Sequence, residues 1–179
     1  MGDPKKFEKY KQYGGYHWLW YNKRYTYKTH ADFLKRWVKE KKVIDIGAGD
    51  GFITNFLGIR GVDNDPCGIK AAAKKGVKID LGDAYSLPYK DEEFESALMS
   101  DTIEHFSNVD LVLTEVRRVI RKFFYVNIPL KEKFKEPDHY HAWTPEQFKA
   151  QVEKQGFTLI DGPRLKPQRN RCYFMFKKT

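Results

Sequence analysis

The sequence predicts one α/β domain built around a mostly parallel β-sheet with helices on both faces. Short apolar runs typical of strands alternate along the chain with segments whose apolar residues recur at helical spacing. Several strand runs are almost continuously apolar, as expected for a sheet covered on both faces. With 179 residues the chain can bury one full core, and it is short for two domains.

The first half of the chain supplies three of the predicted strands. We place strands at residues 43–46, 58–63 and 77–81, and helices at residues 28–40, 52–57 and 65–75. The last of these helices has recognisable ends. Asp65 is suited to the N-cap, Pro66 to the first helical position and Gly76 to the position past the end.

The second half adds four strands and two helices. Strands are predicted at residues 94–100, 122–128, 157–161 and 172–177, and helices at residues 107–120 and 144–155. Thr144 and Gln147 have the spacing of a capping box, and Gly156 would end that helix. The last two strands read as a hairpin-like pair, so one antiparallel C-terminal edge strand should complete a seven-stranded sheet.

Cysteine usage and hydropathy exclude several classes of protein. Cys67 and Cys172 lie far apart, with no Cys-x-x-Cys and no Cys/His cluster, so the sequence predicts neither a disulfide framework nor a metal site. The chain shows no apolar run near the length of a membrane span and no signal-peptide pattern. We therefore expect a soluble protein of the cytoplasm.

Charge is distributed unevenly along the chain. Residues 1–42 hold twelve basic and four acidic residues, residues 43–130 ten and fourteen, and residues 131–179 eleven and six. The two basic flanks favour an anionic partner, although a solvated lysine-rich surface is an equal alternative. One short connection in the rear flank contains four of its cations, namely Arg164, Lys166, Arg169 and Arg171.

A glycine-rich turn follows the first predicted strand. The stretch "VIDIGAGDG" places Gly47, Gly49 and Gly51 where a strand should become a helix and where backbone can approach a ligand closely. Because residue 52 is Phe, the spacing differs from Gly-x-Gly-x-x-Gly and disfavours NAD(P). Asp45 and Asp50 bracket the turn and suit a cationic cofactor better than a pyrophosphate. A tight turn without a ligand is the alternative.

Five motifs in order carry a resemblance to a known family. They are "VIDIGAGDG", "GVDND", "GDAYSLPYKDEEFESALMS", "DTIEHF" and "HAWTPEQFKAQVEKQGF". Over residues 30–160 the chain resembles the S-adenosylmethionine-dependent methyltransferases of the Rossmann-like class, in their type 11-like branch. The resemblance implies a single Rossmann-like methyltransferase domain over residues 1–179, with S-adenosylmethionine as the cofactor.

The resemblance also implies the cofactor-binding residues. The turn would contribute Asp45, Gly47, Ala48, Gly49 and Gly51. Later strand ends would contribute Asp63 and Asn64 at the ribose, Asp83 and Ala84 at the adenine, and Ser100 and Asp101 at the methionine amino end. A strand-end acid is the alternative for Asp63, and a turn aspartate is the alternative for Asp83.

The sequence says less about the catalytic residues and the methyl acceptor than about the cofactor site. Most of the acceleration of an in-line methyl transfer can come from alignment, and His105 is the candidate general base, with a packing or helix-capping role as the alternative. Glu104 is a similar candidate, and further candidates from lid and loop segments are Tyr16, His17, His139 and His141. Residues 1–28 are aromatic and basic, which fits a lid, a nucleic-acid contact or both.

RNA is the first expectation for the acceptor and a small molecule or protein the second. A catalytically silent binding protein and an NAD(P)-dependent oxidoreductase are the other classes.

Overall fold

The computed structural model describes residues 10–130, 139–165 and 170–179. The helices are α1 (Tyr16–Lys23), α2 (Tyr25–Trp37), α3 (Phe52–Leu57), α4 (Pro66–Ala73), α5 (Val109–Val119) and α6 (Pro145–Lys154), with a 3-10 turn at Ile103–His105. The strands are β1 (Val43–Ile46), β2 (Arg60–Asp63), β3 (Asp80–Leu81), β4 (Phe94–Ser100), β5 (Ile120–Pro129), β6 (Phe157–Arg164) and β7 (Arg171–Lys178). Every predicted strand and helix is present. The bounds of β1, α3 and β4 are as predicted, and those of the other elements are shifted.

The seven strands form one sheet in the order β3-β2-β1-β4-β5-β7-β6. The pairs among β3, β2, β1, β4 and β5 are parallel, and β7 runs antiparallel to both of its neighbours. The predicted fold class is confirmed, with one refinement. The antiparallel strand β7 lies inside the sheet and β6 forms its edge. The crossover through α6 places β6 one strand away from β5, and β7 pairs between the two.

Local sequence signals set the helix ends as predicted. Asp65 caps α4 by accepting a hydrogen bond from the Cys67 backbone N–H, and Thr144 and Gln147 form the complete capping box of α6. Helix α1 was not predicted. It contains no buried residue, so it lacks the one-sided apolar pattern that identifies a helix in a sequence.

Apolar packing covers both faces of the sheet. On one face, α5 buries its apolar stripe of Val109, Val112, Leu113, Val116 and Val119. On the other, α2 and the aromatic residues of α1 pack near Leu98, Tyr125 and Tyr173. In the part of the chain that the structure describes, no helix is both long enough and apolar enough to cross a membrane.

Candidate active site

The turn after β1 has the backbone conformation that its glycines predict. Gly47 and Gly49 have φ angles of 81° and 54°, in the left-handed region that disfavours other residues. A Cβ added at Gly47 would collide with the Thr102 side chain, and one added at Gly49 would collide with the Tyr10 hydroxyl. Both positions therefore combine a strained backbone with a close neighbour, so side chains are excluded on two grounds.

Asp63 ties the end of β2 to the glycine turn. One carboxylate oxygen accepts the Gly49 backbone N–H at 2.7 Å, and the other accepts the Asp65 backbone N–H at 2.8 Å. The residue is buried, with 7% of its surface exposed. A carboxylate has about four acceptor sites, so these two bonds leave capacity for further donors.

Asp45 lies at the floor of the site. It is buried, and its carboxylate accepts a hydrogen bond from the Thr54 hydroxyl at 2.7 Å. Burial raises the pKa of Asp45 to about 7, although the hydrogen bond from Thr54 opposes this effect. A cation bound nearby would favour the ionised carboxylate and lower this pKa.

Asp101 and Arg171 form an ion pair at the ends of β4 and β7. The Arg171 Nε lies 2.7 Å from each Asp101 carboxylate oxygen, and the Asn127 amide also donates to Oδ1 at 2.7 Å. Burial works to raise the pKa of Asp101, but the charges of Arg171 and His30 and the hydrogen bond from Arg171 together outweigh it, and the net shift is downward. Arg171 therefore faces the site. In the sequence it belongs to the cationic connection that also contains Arg164, Lys166 and Arg169. Arg164 pairs with Asp161, and Lys166 and Arg169 lie outside the described residues.

His30 is a site residue that sequence reasoning missed. Its two ring nitrogens lie 2.8 Å from the Tyr173 hydroxyl and 2.9 Å from the Ser100 hydroxyl, so it links α2 to β7 and β4. The available signal was helical spacing, since Tyr27, His30 and Leu34 fall on one buried face of α2.

Burial of His30 predicts a loss of stability in acid. Desolvation lowers the pKa of His30 from 6.5 to about 4, although the charge of Asp101 opposes this. Between those values the unfolded chain binds a proton that folded His30 does not, so the contribution of His30 lowers stability as pH falls, whereas the raised pKa of Asp45 contributes the opposite trend over the same range. The slope is up to about 1.4 kcal/mol per pH unit. Urea unfolding from pH 7 to 4 measures it. His30→Gln should remove the His30 contribution, and a parallel profile in that variant would contradict the assignment.

The N-terminal aromatic segment is fastened to the glycine turn through Asp50. The Asp50 carboxylate accepts the His17 backbone N–H at 3.0 Å, and the Asp50 backbone oxygen accepts the Trp18 indole N–H at 3.0 Å. Tyr10 is buried over Gly49 and stacks on Tyr16 at 5.1 Å. Asp50 thus binds protein groups and also lines the cleft in which the sequence predicts a cationic cofactor.

A cleft of about 410 Å³ opens beneath this segment. Six predicted site residues line it, namely Asp45, Gly47, Ala48, Ser100, Asp101 and His105. Six others lie outside its lining, namely Gly49, Gly51, Asp63, Asn64, Asp83 and Ala84. Tyr10 belongs to the cleft lining and also covers Gly49, which lies outside it. Burial is the main cause that raises the pKa of the Tyr10 phenol, followed by Tyr16, Asp50 and Asp63.

Asp83 makes the contacts of a turn residue. Its carboxylate accepts the Tyr85 backbone N–H at 3.0 Å, and its backbone oxygen accepts the Ser86 N–H at 3.0 Å. Ala84 is buried. These contacts support the turn alternative and leave one carboxylate oxygen for other donors.

His105 lies on the cleft wall beside Glu104 and His139. The His105 and His139 rings meet edge to face with centroids 4.8 Å apart. The possible ligand atoms of these three residues lie within 4.8 Å of one another. From the sequence these three residues were only separate catalytic candidates, because His139 is 34 residues away from His105 and no local pattern joins them.

Sequence comparison matches the central part of the chain to a known protein family. Residues 44–123 match the protein family described as "Methyltransferase domain". This segment is a methyltransferase domain. The glycine turn, β2, β4 and the 3-10 turn all lie within the methyltransferase domain, whereas the aromatic segment, Arg171 and His139 come from outside the matched segment.

Solved structures share the fold of the whole described chain. A methyltransferase from Thermotoga maritima, described as a possible histamine N-methyltransferase, superimposes with a TM-score of 0.78 over 97% of this chain and 99% of that one, at 22% identity. A methyltransferase from Aquifex aeolicus gives 0.74 at 17% identity and covers both chains fully. The fold is that of the Rossmann-like S-adenosylmethionine-dependent methyltransferases.

Curated relatives match over part of their length. An uncharacterised protein of Methanocaldococcus jannaschii is 32% identical over 97 residues, which are 54% of this chain and 47% of that protein. Fatty-acid O-methyltransferase of Mycolicibacterium smegmatis is 26% identical over 136 residues, and the match covers 68% of this chain and 50% of that enzyme. The chain thus spans about half the length of the first curated relatives it matches.

Proposed function

We propose that this protein is an enzyme that transfers a methyl group from S-adenosylmethionine to an acceptor bound in the cleft. The observation that carries the proposal is the position of the cleft. Its walls come from the turn after β1 and from residues after β4, and strand order reverses between these two strands. Open α/β sheets bind their ligands at such a switch point.

The residues present fit this cofactor. Gly47 and Gly49 let the turn pack directly against Thr102 and Tyr10, where a Cβ has no room, and Asp63 retains free acceptor capacity for ribose hydroxyls. Asp45 and Asp101 place acidic groups beside the cleft, which suits a ligand with a sulfonium and an ammonium. When bound, S-adenosylmethionine supplies a methyl group on a positively charged sulfur.

The aromatic segment would exclude water and hold the acceptor in line. Tyr10, Tyr16 and His17 line the cleft from above, and His17 is anchored at Asp50. Alignment of this kind can supply about 7 to 11 kcal/mol in favourable cases. The chain's own contribution would therefore be mainly positioning, with His105 on the wall that the acceptor faces.

For the acceptor we favour a small molecule. Aromatic residues of the N-terminal segment line much of the cleft, and the Arg171 charge that faces it is already paired with Asp101. Curated relatives carry names for small acceptors, such as norajmaline and demethylmenaquinone. RNA is the second candidate, because residues 1–42 have twelve basic and four acidic residues.

Removal of the Asp63 carboxylate should weaken binding of S-adenosylmethionine. Asp63→Ala is expected to raise the dissociation constant at least about tenfold, since ribose hydroxyls would lose their acceptor and the glycine turn its anchor. Isothermal titration calorimetry measures the constant, and thermal unfolding checks the fold. Asp80→Ala, which removes the carboxylate of the first residue of β3, bonded to Arg60 and Tyr89 outside the glycine turn, is the control. Equal affinity of Asp63→Ala and wild type would refute the ribose role.

The proposed activity is tested in two stages. Calorimetry should show binding of S-adenosylmethionine and its demethylated product but not of NAD. A tritiated-methyl screen over small-molecule, RNA and protein pools should then label the small-molecule pool. If RNA is labelled instead, and the labelling falls steeply with salt, RNA would replace the small molecule as the proposed acceptor. Cofactor binding with no labelled pool would favour a catalytically silent binding protein.

A further inference from the structure

We propose that Glu104, His105 and His139 bind a divalent transition-metal cation on the wall of the cleft. The three side chains can each offer one ligand atom, and these atoms lie within 4.8 Å of one another. Glu104 is buried, whereas both histidines are partly exposed. A buried carboxylate beside two reachable imidazoles gives a site that is built into the fold and open on one side.

Backbone structure fixes the three ligands relative to one another. The 3-10 turn Ile103–His105 holds Glu104 and His105 as consecutive residues after β4. The Tyr140 backbone N–H donates to the Glu104 backbone oxygen at 2.9 Å, which brings the neighbouring His139 to this turn. The edge-to-face contact of the two imidazoles follows from this pairing. The site therefore joins two segments distant in sequence through a main-chain hydrogen bond.

The donor set selects the kind of metal. Two imidazoles and one carboxylate suit Zn²⁺ and the neighbouring first-row metals, while Mg²⁺ and Ca²⁺ prefer all-oxygen sites. Three protein ligands leave at least one coordination position for water or substrate, which is the arrangement of catalytic zinc sites. We therefore assign the site to Zn²⁺ or a metal of similar preference such as Co²⁺.

The open position would face the space proposed for the acceptor. Glu104, His105 and His139 all line the cleft that also contains Ser100 and Asp101. A cation there would bind an acceptor hydroxyl oxygen and lower its pKa, so that the proton would leave to water. The oxygen would then attack the methyl carbon while the carbon–sulfur bond breaks, and that bond's electron pair would go to the sulfonium, which leaves as a neutral thioether. This step rests on the proposed function, and it makes His105 a metal ligand in place of a free base. Metal binding itself does not depend on it.

Metal content tests the site without any turnover. The full chain, stripped with chelator and dialysed against Zn²⁺ or Co²⁺, should retain one equivalent by elemental analysis, and Co²⁺ should give visible absorption bands. Mg²⁺ and Ca²⁺ should not be retained. Loss of groups that merely support metal ligands already costs about 10- to 100-fold in affinity. His139→Ala and His105→Ala should therefore weaken Zn²⁺ binding at least about tenfold.

His141→Ala is the matched control, because it removes the same kind of side chain at a nearby position. The His141 ring stacks on Trp143, with 4.7 Å between the ring centroids. It should bind Zn²⁺ as wild type does. Absence of a stoichiometric site, or equal Zn²⁺ affinity in folded His139→Ala, would overturn the proposal. Binding of S-adenosylmethionine to the metal-free protein is measured separately. Its failure would count against the proposed function, whereas loss of metal binding alone would count against this site.

Discussion

Replacing Gly49 by valine is expected to abolish detectable binding of S-adenosylmethionine. Gly49 has a φ of 54°, and a Cβ there would meet the Tyr10 hydroxyl. Relief of that collision requires movement of the turn or of the aromatic segment. Because the Gly49 N–H also donates to Asp63 at 2.7 Å, a displaced turn would shift the proposed ribose ligand as well. Calorimetric titration of the folded variant measures the effect.

Gly58→Val controls for backbone strain. Gly58 has a similar φ of 72°, but a Cβ there would meet no heavy atom within 4 Å. Both variants incur the cost of a β-branched residue in the left-handed region, so a difference in binding reports the contact at the site. Gly58→Val should bind the cofactor normally. If Gly49→Val bound it equally well, the turn would not be the cofactor turn.

Removal of the Arg171 guanidinium is expected to destabilise the protein strongly. Arg171→Met would leave the Asp101 carboxylate, 30% exposed, with the Asn127 amide but without its counter-ion. Breaking a largely buried ion pair from one side costs on the order of 3 kcal/mol. At about 2 to 4 °C per kcal/mol for a protein of this size, the melting temperature should fall by roughly 6 to 12 °C.

The chain contains a matched exposed pair. The Arg164 Nε contacts both Asp161 carboxylate oxygens at 2.7 and 2.8 Å, but the Arg164 side chain is 53% exposed. Exposed pairs contribute up to about 1 kcal/mol, so Arg164→Met should lower the melting temperature by less than about 4 °C. Calorimetric unfolding of both variants decides the comparison. Equal shifts would show that burial does not set the contribution of the Arg171 pair.

The order of elements could be predicted because each one depends on near neighbours in the chain. Apolar runs located the strands, and the caps at Asp65 and Thr144 needed only residues two or three positions away. The short helix α1 was missed because its residues are held by contacts with Asp50, far along the chain. The interior position of β7 also could not be read locally, since it depends on which strand fills the gap beside β5.

The sequence by itself determined the place of the glycine turn and of the acid at the end of β2, because these follow from the absence of a Cβ and from strand-end position. Tertiary structure alone decided how the charged groups pair. Arg171 meets Asp101 across 70 residues, His30 meets Tyr173 across 143, and His139 comes beside His105 through one backbone hydrogen bond of its neighbour. Such contacts have no local signature, because any of several cations or imidazoles could satisfy a buried partner until the sheet brings one of them within reach.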